Sequence, residues 1–118
     1  MKQLLIVAHG SRRVAANKEV LTMASKVAAN LQLAAEDVVV AFLEFSEPSI
    51  GAAIDACFSR GVREVVVVPY FLSAGSHVIN DIPREIDKAR YRWPDKNITI
   101  LPHVGASGTM AKLLAQTC

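Results

Sequence analysis

The chain has 118 residues, 52% of them hydrophobic, and a formal net charge of +2. This composition excludes an intrinsically disordered chain and predicts one packed domain over 1–118. General nucleic-acid binding is also excluded, because it needs a basic stripe and the longest basic run here is Arg12-Arg13. The apolar runs are too short to span a bilayer as helices.

The cysteines provide no structural cross-link in this interpretation. Cys57 and Cys118 form neither a CxxC pair nor a disulfide framework, which is typical of a reducing compartment. A predicted strand begins within three residues of Met1, so we expect no signal peptide and a cytoplasmic protein without a membrane partner.

Strands and helices alternate along the sequence. The predicted strands cover 3–8, 38–43, 64–70 and 97–101, and the predicted helices cover 13–33, the segment from Pro48 to Gly61, 83–91 and the segment from about 107 onward. Asp81 is the expected cap of the third helix, and 73–80 is either a loop or a short helical turn. The pattern predicts an α/β fold: three layers, α/β/α, with a four-stranded parallel sheet covered on both faces.

Two of the apolar strands are followed by a histidine in a loop of small residues. His9 precedes Gly10-Ser11, and His77 follows Gly75-Ser76. Because ligands bind beyond the carboxyl ends of parallel strands, we expect both histidines at one edge of the sheet. Each could singly be a turn or helix-start residue. Together, two imidazoles can bind a borderline divalent metal or accept protons near neutral pH.

Glu44 follows the second predicted strand, flanked by Leu43 and Phe45. Its carboxylate could complete a His/His/Glu metal set, since three ligands with an open position suit a metal in transit. The alternative is a strand-end charge paired with a Lys or Arg. For His103, which follows the fourth strand next to Pro102, a turn role is favoured.

The other candidate residues have equally plausible structural roles. Tyr70, Phe71 and Leu72 could wall a flat apolar ligand or simply pack. Arg12 and Arg13 could hold substrate carboxylates or be solvated at a helix start. Ser11 has no base-and-orienter series beside it, which disfavours a serine hydrolase.

Four motifs follow one another along the chain: Val7-Ala8-His9-Gly10-Ser11-Arg12, then Phe42-Leu43-Glu44 with Glu47-Pro48-Ser49-Ile50, then Pro69-Tyr70-Phe71-Leu72-Ser73-Ala74-Gly75-Ser76-His77, and Asp81-Ile82-Pro83. In this order they resemble the class II chelatases, and among them the short, single-repeat sirohydrochlorin cobaltochelatases of cobalamin biosynthesis. The resemblance covers roughly residues 3 to 103.

The resemblance implies a chelatase-like (flavodoxin-like) half unit that inserts cobalt(II) into sirohydrochlorin without ATP, a metal-inserting lyase with no prosthetic group. Iron(II) or nickel(II) is the alternative metal. His9 and His77 match the active-site histidines, and Glu44 matches the carboxylate that joins them on the metal. The expected substrate-binding residues are Ser11, Arg12, Arg13, Tyr70, Phe71, Leu72, Gly75 and Ser76.

A tetrapyrrole has two faces, and one four-strand unit presents a single wall. We therefore expect a homodimer, in which symmetry brings equivalent surfaces together. A metal or tetrapyrrole carrier without turnover remains an alternative function. A histidine phosphatase is disfavoured, because Ala8 stands where such enzymes need an arginine before the histidine.

Overall fold

The structure, a computed structural model, describes residues 2–118. Its elements in chain order are β1 (Lys2–Ala8), α1 (Val14–Asn30), β2 (Val38–Phe42), α2 (Ile50–Ser59), β3 (Glu64–Pro69), α3 (Ile82–Arg92), β4 (Asn97–Ile100) and α4 (Met110–Thr117). A π-helical turn, His77–Asp81, continues directly into α3. The segment 73–80 is thus partly helical, one of the two predicted possibilities.

All four strands are parallel and lie in the order β2-β1-β3-β4. Leu5 of β1 pairs with Val39 on one side and Val67 on the other. This confirms the predicted four-stranded parallel sheet. Because β1 lies between β2 and β3, the loops that follow these three strands emerge side by side.

Helices cover both faces of the sheet, which confirms the three-layer α/β/α fold. On one face, Leu5 and Val7 pack with residues of α2 and α3, among them Ile54 and Ile86, and all four are fully buried. On the other face, α1 covers β1 and β2. It does so with Ala24 and Ala28, whose spacing of four residues places both on one side of the helix.

Helix α1 is shorter than the predicted 13–33, because a left-handed residue ends it. Gln32 has φ of 58°, its N–H donates to the Ala29 carbonyl, and the Leu33 N–H donates to the Ala28 carbonyl. These two bonds form a Schellman cap. Glycine is the usual residue at this position, so the sequence contains no signal for the end of the helix.

Other element ends also differ from the prediction. Pro48 lies outside the first turn of α2, since Ser49 is the N-cap and its Oγ accepts a bond from the Ala52 N–H at 3.2 Å. The last helix begins at Met110 rather than near 107. All residues of α4 beyond Met110 are exposed, so α4 adds nothing to the cover of the sheet. Among residues 2–118, no helix combines the length and apolar character needed to cross a membrane.

A polar cluster surrounds the buried Gln3 at the amino end of the sheet. Gln3 is 2% exposed, and its Nε2 donates to the Glu36 carbonyl at 2.7 Å. The Oε1 of Gln3 accepts from the Cys57 thiol and from the Arg60 guanidinium. Burial raises the pKa of the Cys57 thiol, and the lowering effect of the nearby Arg60 charge is smaller.

We predict that Cys57 reacts with iodoacetamide at least about ten times more slowly than Cys118. The thiolate is the nucleophile, and burial disfavours the thiolate form of Cys57. Mass spectrometry of timed samples at pH 8 measures both rates. In Cys118→Ser, the remaining reaction should accelerate on adding denaturant. Equal rates for the two thiols in the folded protein would contradict the prediction.

Candidate functional site

The loops after β1 and β2 are joined by backbone hydrogen bonds that extend the sheet past its strands. The Leu43 N–H donates to the Ala8 carbonyl, and the Glu44 N–H donates to the His9 carbonyl, both at 3.0 Å. Backbone pairing therefore holds His9 and Glu44 next to each other at the carboxyl edge of the sheet.

Gly10 permits this approach of the two loops. Its φ is 93°, and a β-carbon added there would lie 1.8 Å from the Glu44 carbonyl oxygen. Both the left-handed backbone and the lack of space require glycine.

His9 and Glu44 contact each other through their side chains as well. The His9 Nε2 lies 3.0 Å from the Glu44 Oε2, and both side chains are about half exposed. The other ring nitrogen, Nδ1, lies 3.0 Å from the Gly10 carbonyl oxygen, which can only accept a bond. The carboxylate of Glu44 thus pairs with an imidazole rather than with a Lys or Arg.

His77 lies at the same place, on the π-helical turn. Its ring centroid is 4.8 Å from that of His9, with 48° between the ring planes. The Nδ1 of His77 lies 2.6 Å from the Asp81 Oδ2. The prediction that Asp81 caps α3 is wrong: Asp81 has helical dihedrals and makes no side-chain cap bond, and its carboxylate binds His77 and Arg84 instead.

Both imidazoles therefore have the same nitrogen occupied. Because the His77 Nδ1 faces a carboxylate, a neutral His77 ring has its proton on Nδ1 and a lone pair on Nε2. In His9 both ring nitrogens face acceptors, the Gly10 carbonyl at Nδ1 and the Glu44 carboxylate at Nε2. A cation at the His9 Nε2, either a proton or a metal ion, makes its contact with the Glu44 carboxylate favourable. A metal bound to both atoms at about 2.1 Å would separate them by about 3.0 to 3.4 Å, and a direct N–H···O hydrogen bond separates them by about 2.7 to 3.2 Å. The observed 3.0 Å fits both arrangements.

A complete metal site is not assembled. Within residues 2–118, no group of three or more His, Cys, Asp or Glu side chains is arranged to hold a metal ion. The three residues proposed from the sequence, His9, Glu44 and His77, are neighbours, but only His9 and Glu44 point donors at one position.

A cleft of about 270 Å³ opens beside these residues. Its lining includes His77, Arg84 and three acidic side chains, which are Glu44, Asp81 and Glu85. The rest of the lining is Ser49 and the apolar residues Phe42, Leu43 and Ile50. Carboxylates that converge on a small cleft lower the energy of a cation there.

Phe45 is a site residue that the sequence reasoning did not single out. It is 52% exposed and has φ of 65°, an outlier for a bulky side chain. The Arg12 guanidinium lies 5.0 Å from the centroid of its ring, and the His9 ring lies 6.3 Å away. No glycine or asparagine marks position 45 as left-handed, so only the fold reveals this exposed aromatic.

The loop that carries Ser11 and the two arginines is tied to α1. Asn17 accepts a bond from the Ser11 N–H at 2.9 Å and donates to the Ser11 carbonyl at 2.8 Å. The Ser11 Oγ accepts from the Arg13 N–H at 3.0 Å. Ser11 thus acts locally on the loop, while the side chains of Arg12 and Arg13 are exposed beside the site.

The loop after β3 exposes two of the expected wall residues and partly buries the third. Tyr70 and Leu72 are exposed, whereas Phe71 packs against the core formed with α2 and α3. Gly105 holds this loop, because a β-carbon there would lie 1.7 Å from the Leu72 carbonyl oxygen.

Gly75, Ser76 and His103 complete the set of expected residues. The Gly75 carbonyl accepts the N–H groups of Val78 and Ile79 and so starts the helical turn of His77. Ser76 is exposed and makes no side-chain cap bond. His103 lies before a 3-10 turn and lines a separate hollow with Leu101 and other residues.

Comparison with known proteins places this architecture among the chelatases. The sirohydrochlorin chelatase SirB from Bacillus subtilis subspecies spizizenii, solved in complex with cobalt, has a TM-score of 0.81 and 30% identity. The match covers 98% of this chain and 48% of that one. The fold is thus that of a class II chelatase unit, which confirms the expectation from the motifs.

The sequence comparisons define the family. The CbiX family model matches residues 3–118. The sirohydrochlorin cobaltochelatase of Sulfurisphaera tokodaii is 31% identical over 98% of this chain and 90% of its own length. The sirohydrochlorin ferrochelatase of Bacillus subtilis (strain 168) is 32% identical over 95% of this chain, which spans only 42% of that protein. The chain belongs to the CbiX family.

We predict that Gly10→Ala is more destabilising than Gly61→Ala. Both glycines have φ above 90°, but a β-carbon at Gly61 meets nothing within 4 Å. Gly61→Ala should therefore lower the free energy of unfolding by about 1–3 kcal/mol, the cost of backbone strain. Gly10→Ala should lower the free energy of unfolding by about 2 kcal/mol more than Gly61→Ala does, because the loop that carries Glu44 must move. Urea denaturation measures both values, and equal losses would contradict the prediction.

Proposed function

We propose that this chain, as one domain over 1–118, inserts a divalent metal into sirohydrochlorin, a polycarboxylate tetrapyrrole, at the carboxyl edge of its sheet. His9, Glu44 and His77 hold the metal in transit, and His9 and His77 are the catalytic residues. The reaction needs no prosthetic group and no ATP, and its metal is cobalt(II), for cobalamin biosynthesis.

One observation carries the proposal: two imidazole rings lie 4.8 Å apart, each with its Nδ1 held by an acceptor, so that Nε2 is the nitrogen of each ring left to bind a metal. Beside them, the Glu44 carboxylate lies 3.0 Å from the His9 Nε2. Nitrogen and carboxylate donors of this kind suit a borderline divalent metal. Because they form an incomplete site, the metal is held weakly enough to leave, as a substrate must.

The chemistry is an exchange of charge at the ring nitrogens of the tetrapyrrole. Two pyrrole N–H protons leave when a divalent metal enters, so the macrocycle needs a proton acceptor. When the metal moves from an imidazole Nε2 to a pyrrole nitrogen, the Nε2 lone pair becomes free to accept one of those protons. The histidine that delivers the metal can thus act as the base.

The surroundings of the site fit an anionic, flat substrate. Phe45, Tyr70 and Leu72 expose apolar surface, and Arg12 and Arg13 supply positive charge for carboxylates. Pockets that enclose a small ligand have volumes of about 300–1,000 Å³. The cleft of this chain, at about 270 Å³, is smaller than such a pocket. The chain therefore offers one wall, and we propose that a second copy in a homodimer supplies the other.

Iron(II) is the second candidate metal. The ferrochelatase of Bacillus subtilis and the cobaltochelatase of Sulfurisphaera tokodaii match this chain at 32% and 31% identity. Imidazole and carboxylate ligands bind several first-row metals, so selectivity depends on geometry and metal availability.

We predict that His9→Ala and His77→Ala each lower the rate of metal insertion at least about a hundredfold, because each removes a metal donor and a proton acceptor. Anaerobic absorption spectra of sirohydrochlorin with cobalt(II), iron(II) or nickel(II) measure turnover. His103→Ala is the matched control and should keep the wild-type rate, since His103 lines a separate hollow.

Catalytic amounts of protein separate the possible outcomes. Repeated conversion supports an enzyme, and the fastest metal identifies its substrate. A single stoichiometric change would replace the proposal with a carrier. Near-wild-type insertion by both histidine variants at saturating tetrapyrrole would refute the assigned site.

We further predict that Glu44→Gln weakens cobalt(II) binding about tenfold, because an amide is a poorer ligand than a carboxylate. Titration followed by the visible spectrum of cobalt(II) measures the affinity. Glu47→Gln, three residues further on and also exposed, is the matched control for lost charge. Equal weakening in both variants would show that Glu44 acts only through general electrostatics.

A further inference from the structure

We infer that Asp81 is a positioning residue, which keeps the proton of the His77 imidazole on Nδ1 and the lone pair on Nε2. The role that we assign to this lone pair rests on the proposed function, because a histidine needs it to bind a metal or to accept a proton. The geometry on which it stands is independent of that function.

The contact between the two side chains is short and direct. The His77 Nδ1 lies 2.6 Å from the Asp81 Oδ2, and the two side chains are 40% and 32% exposed. A carboxylate has no proton to give, so the imidazole must donate through Nδ1–H. Histidines that bind metals commonly donate their other N–H to a carboxylate or carbonyl, which sets the tautomer and the ring orientation.

Asp81 is itself fixed by a second partner. The Arg84 Nη2 donates to the Asp81 Oδ1 at 3.2 Å, so each carboxylate oxygen has its own bond. The three side chains follow one another along the π-helical turn and the start of α3. Rare π-helical turns occur frequently at functional sites, and this one aligns Asp81 with the His77 ring.

His9 is held at the same ring nitrogen by a different kind of partner. Its Nδ1 faces the Gly10 carbonyl rather than a side chain. At Nδ1, one histidine of the site is thus held by the backbone and the other by a carboxylate. At Nδ1, only His77 can be released by a side-chain substitution, which makes His9 an internal reference for an experiment on His77.

The test is Asp81→Ala in the full chain, with Asp87→Ala as the matched control. Asp87 lies on α3, six residues after Asp81. It pairs with Arg90, three residues later, at 3.2 Å, just as Asp81 pairs with Arg84, three residues later, at 3.2 Å. Long-range ¹H–¹⁵N spectra of the imidazoles, recorded without metal at a pH where they are neutral, report the tautomer of each histidine. Wild type and Asp87→Ala should show His77 protonated on Nδ1.

In Asp81→Ala, we expect the His77 signals to shift toward the form protonated on Nε2, while those of His9 and His103 stay unchanged. The kcat for metal insertion should fall about 10–100-fold with KM for the tetrapyrrole unchanged within twofold. Asp81→Glu, which restores a carboxylate acceptor, should recover part of both effects.

The outcomes distinguish this inference from the proposed function. If Asp81→Ala leaves the tautomer of His77 unchanged, the inference is wrong, whatever the chain catalyses. If the tautomer shifts but the wild-type chain inserts no metal, the positioning role stands and the proposed function fails. A shift of equal size in Asp87→Ala would also overturn the inference, because the effect would then be general to α3.

Discussion

The parallel pairing of β1 with both β2 and β3 is the constraint on which the site depends. Ala8 lies opposite Phe42, and Val7 lies opposite Pro69, so the three strands end at nearly the same level. Backbone hydrogen bonds continue beyond these ends, from Leu43 and Glu44 to β1 and its loop. Because the backbone positions the site, the side chains of the site are free to be polar and exposed.

Three departures from regular backbone geometry lie at this edge. Gly10 has a positive φ and lies against the Glu44 carbonyl, Phe45 has a positive φ, and His77 begins a π-helical turn. Strained or irregular backbone concentrates at functional sites, where the surrounding structure must hold it in place. The buried sheet and its packed helices provide that support.

The hydrogen bonds of the two histidines explain how an exposed site can still be ordered. Each ring is held at Nδ1, by the Gly10 carbonyl or by Asp81. In His9, the Glu44 carboxylate adds a contact at Nε2. Orientation therefore comes from fixed hydrogen-bond partners, although the two histidine side chains are 43% and 40% exposed. For the proposed transfer of metal, the small number of donors is an advantage, because strong closed coordination would retain the metal.

The sequence by itself determined the class of fold and the approximate position of the site. Unbroken aliphatic runs specify buried parallel strands, and such strands share a carboxyl edge, so His9, Glu44 and His77 were predictable as neighbours. Only the tertiary structure decided what touches what: that Asp81 binds His77 instead of capping α3, that Phe45 is turned outward under Arg12, and that Gln32 ends α1. Periodicity reports which residues are buried along one element. Side-chain pairing and left-handed turns depend on contacts between elements, which no local pattern encodes.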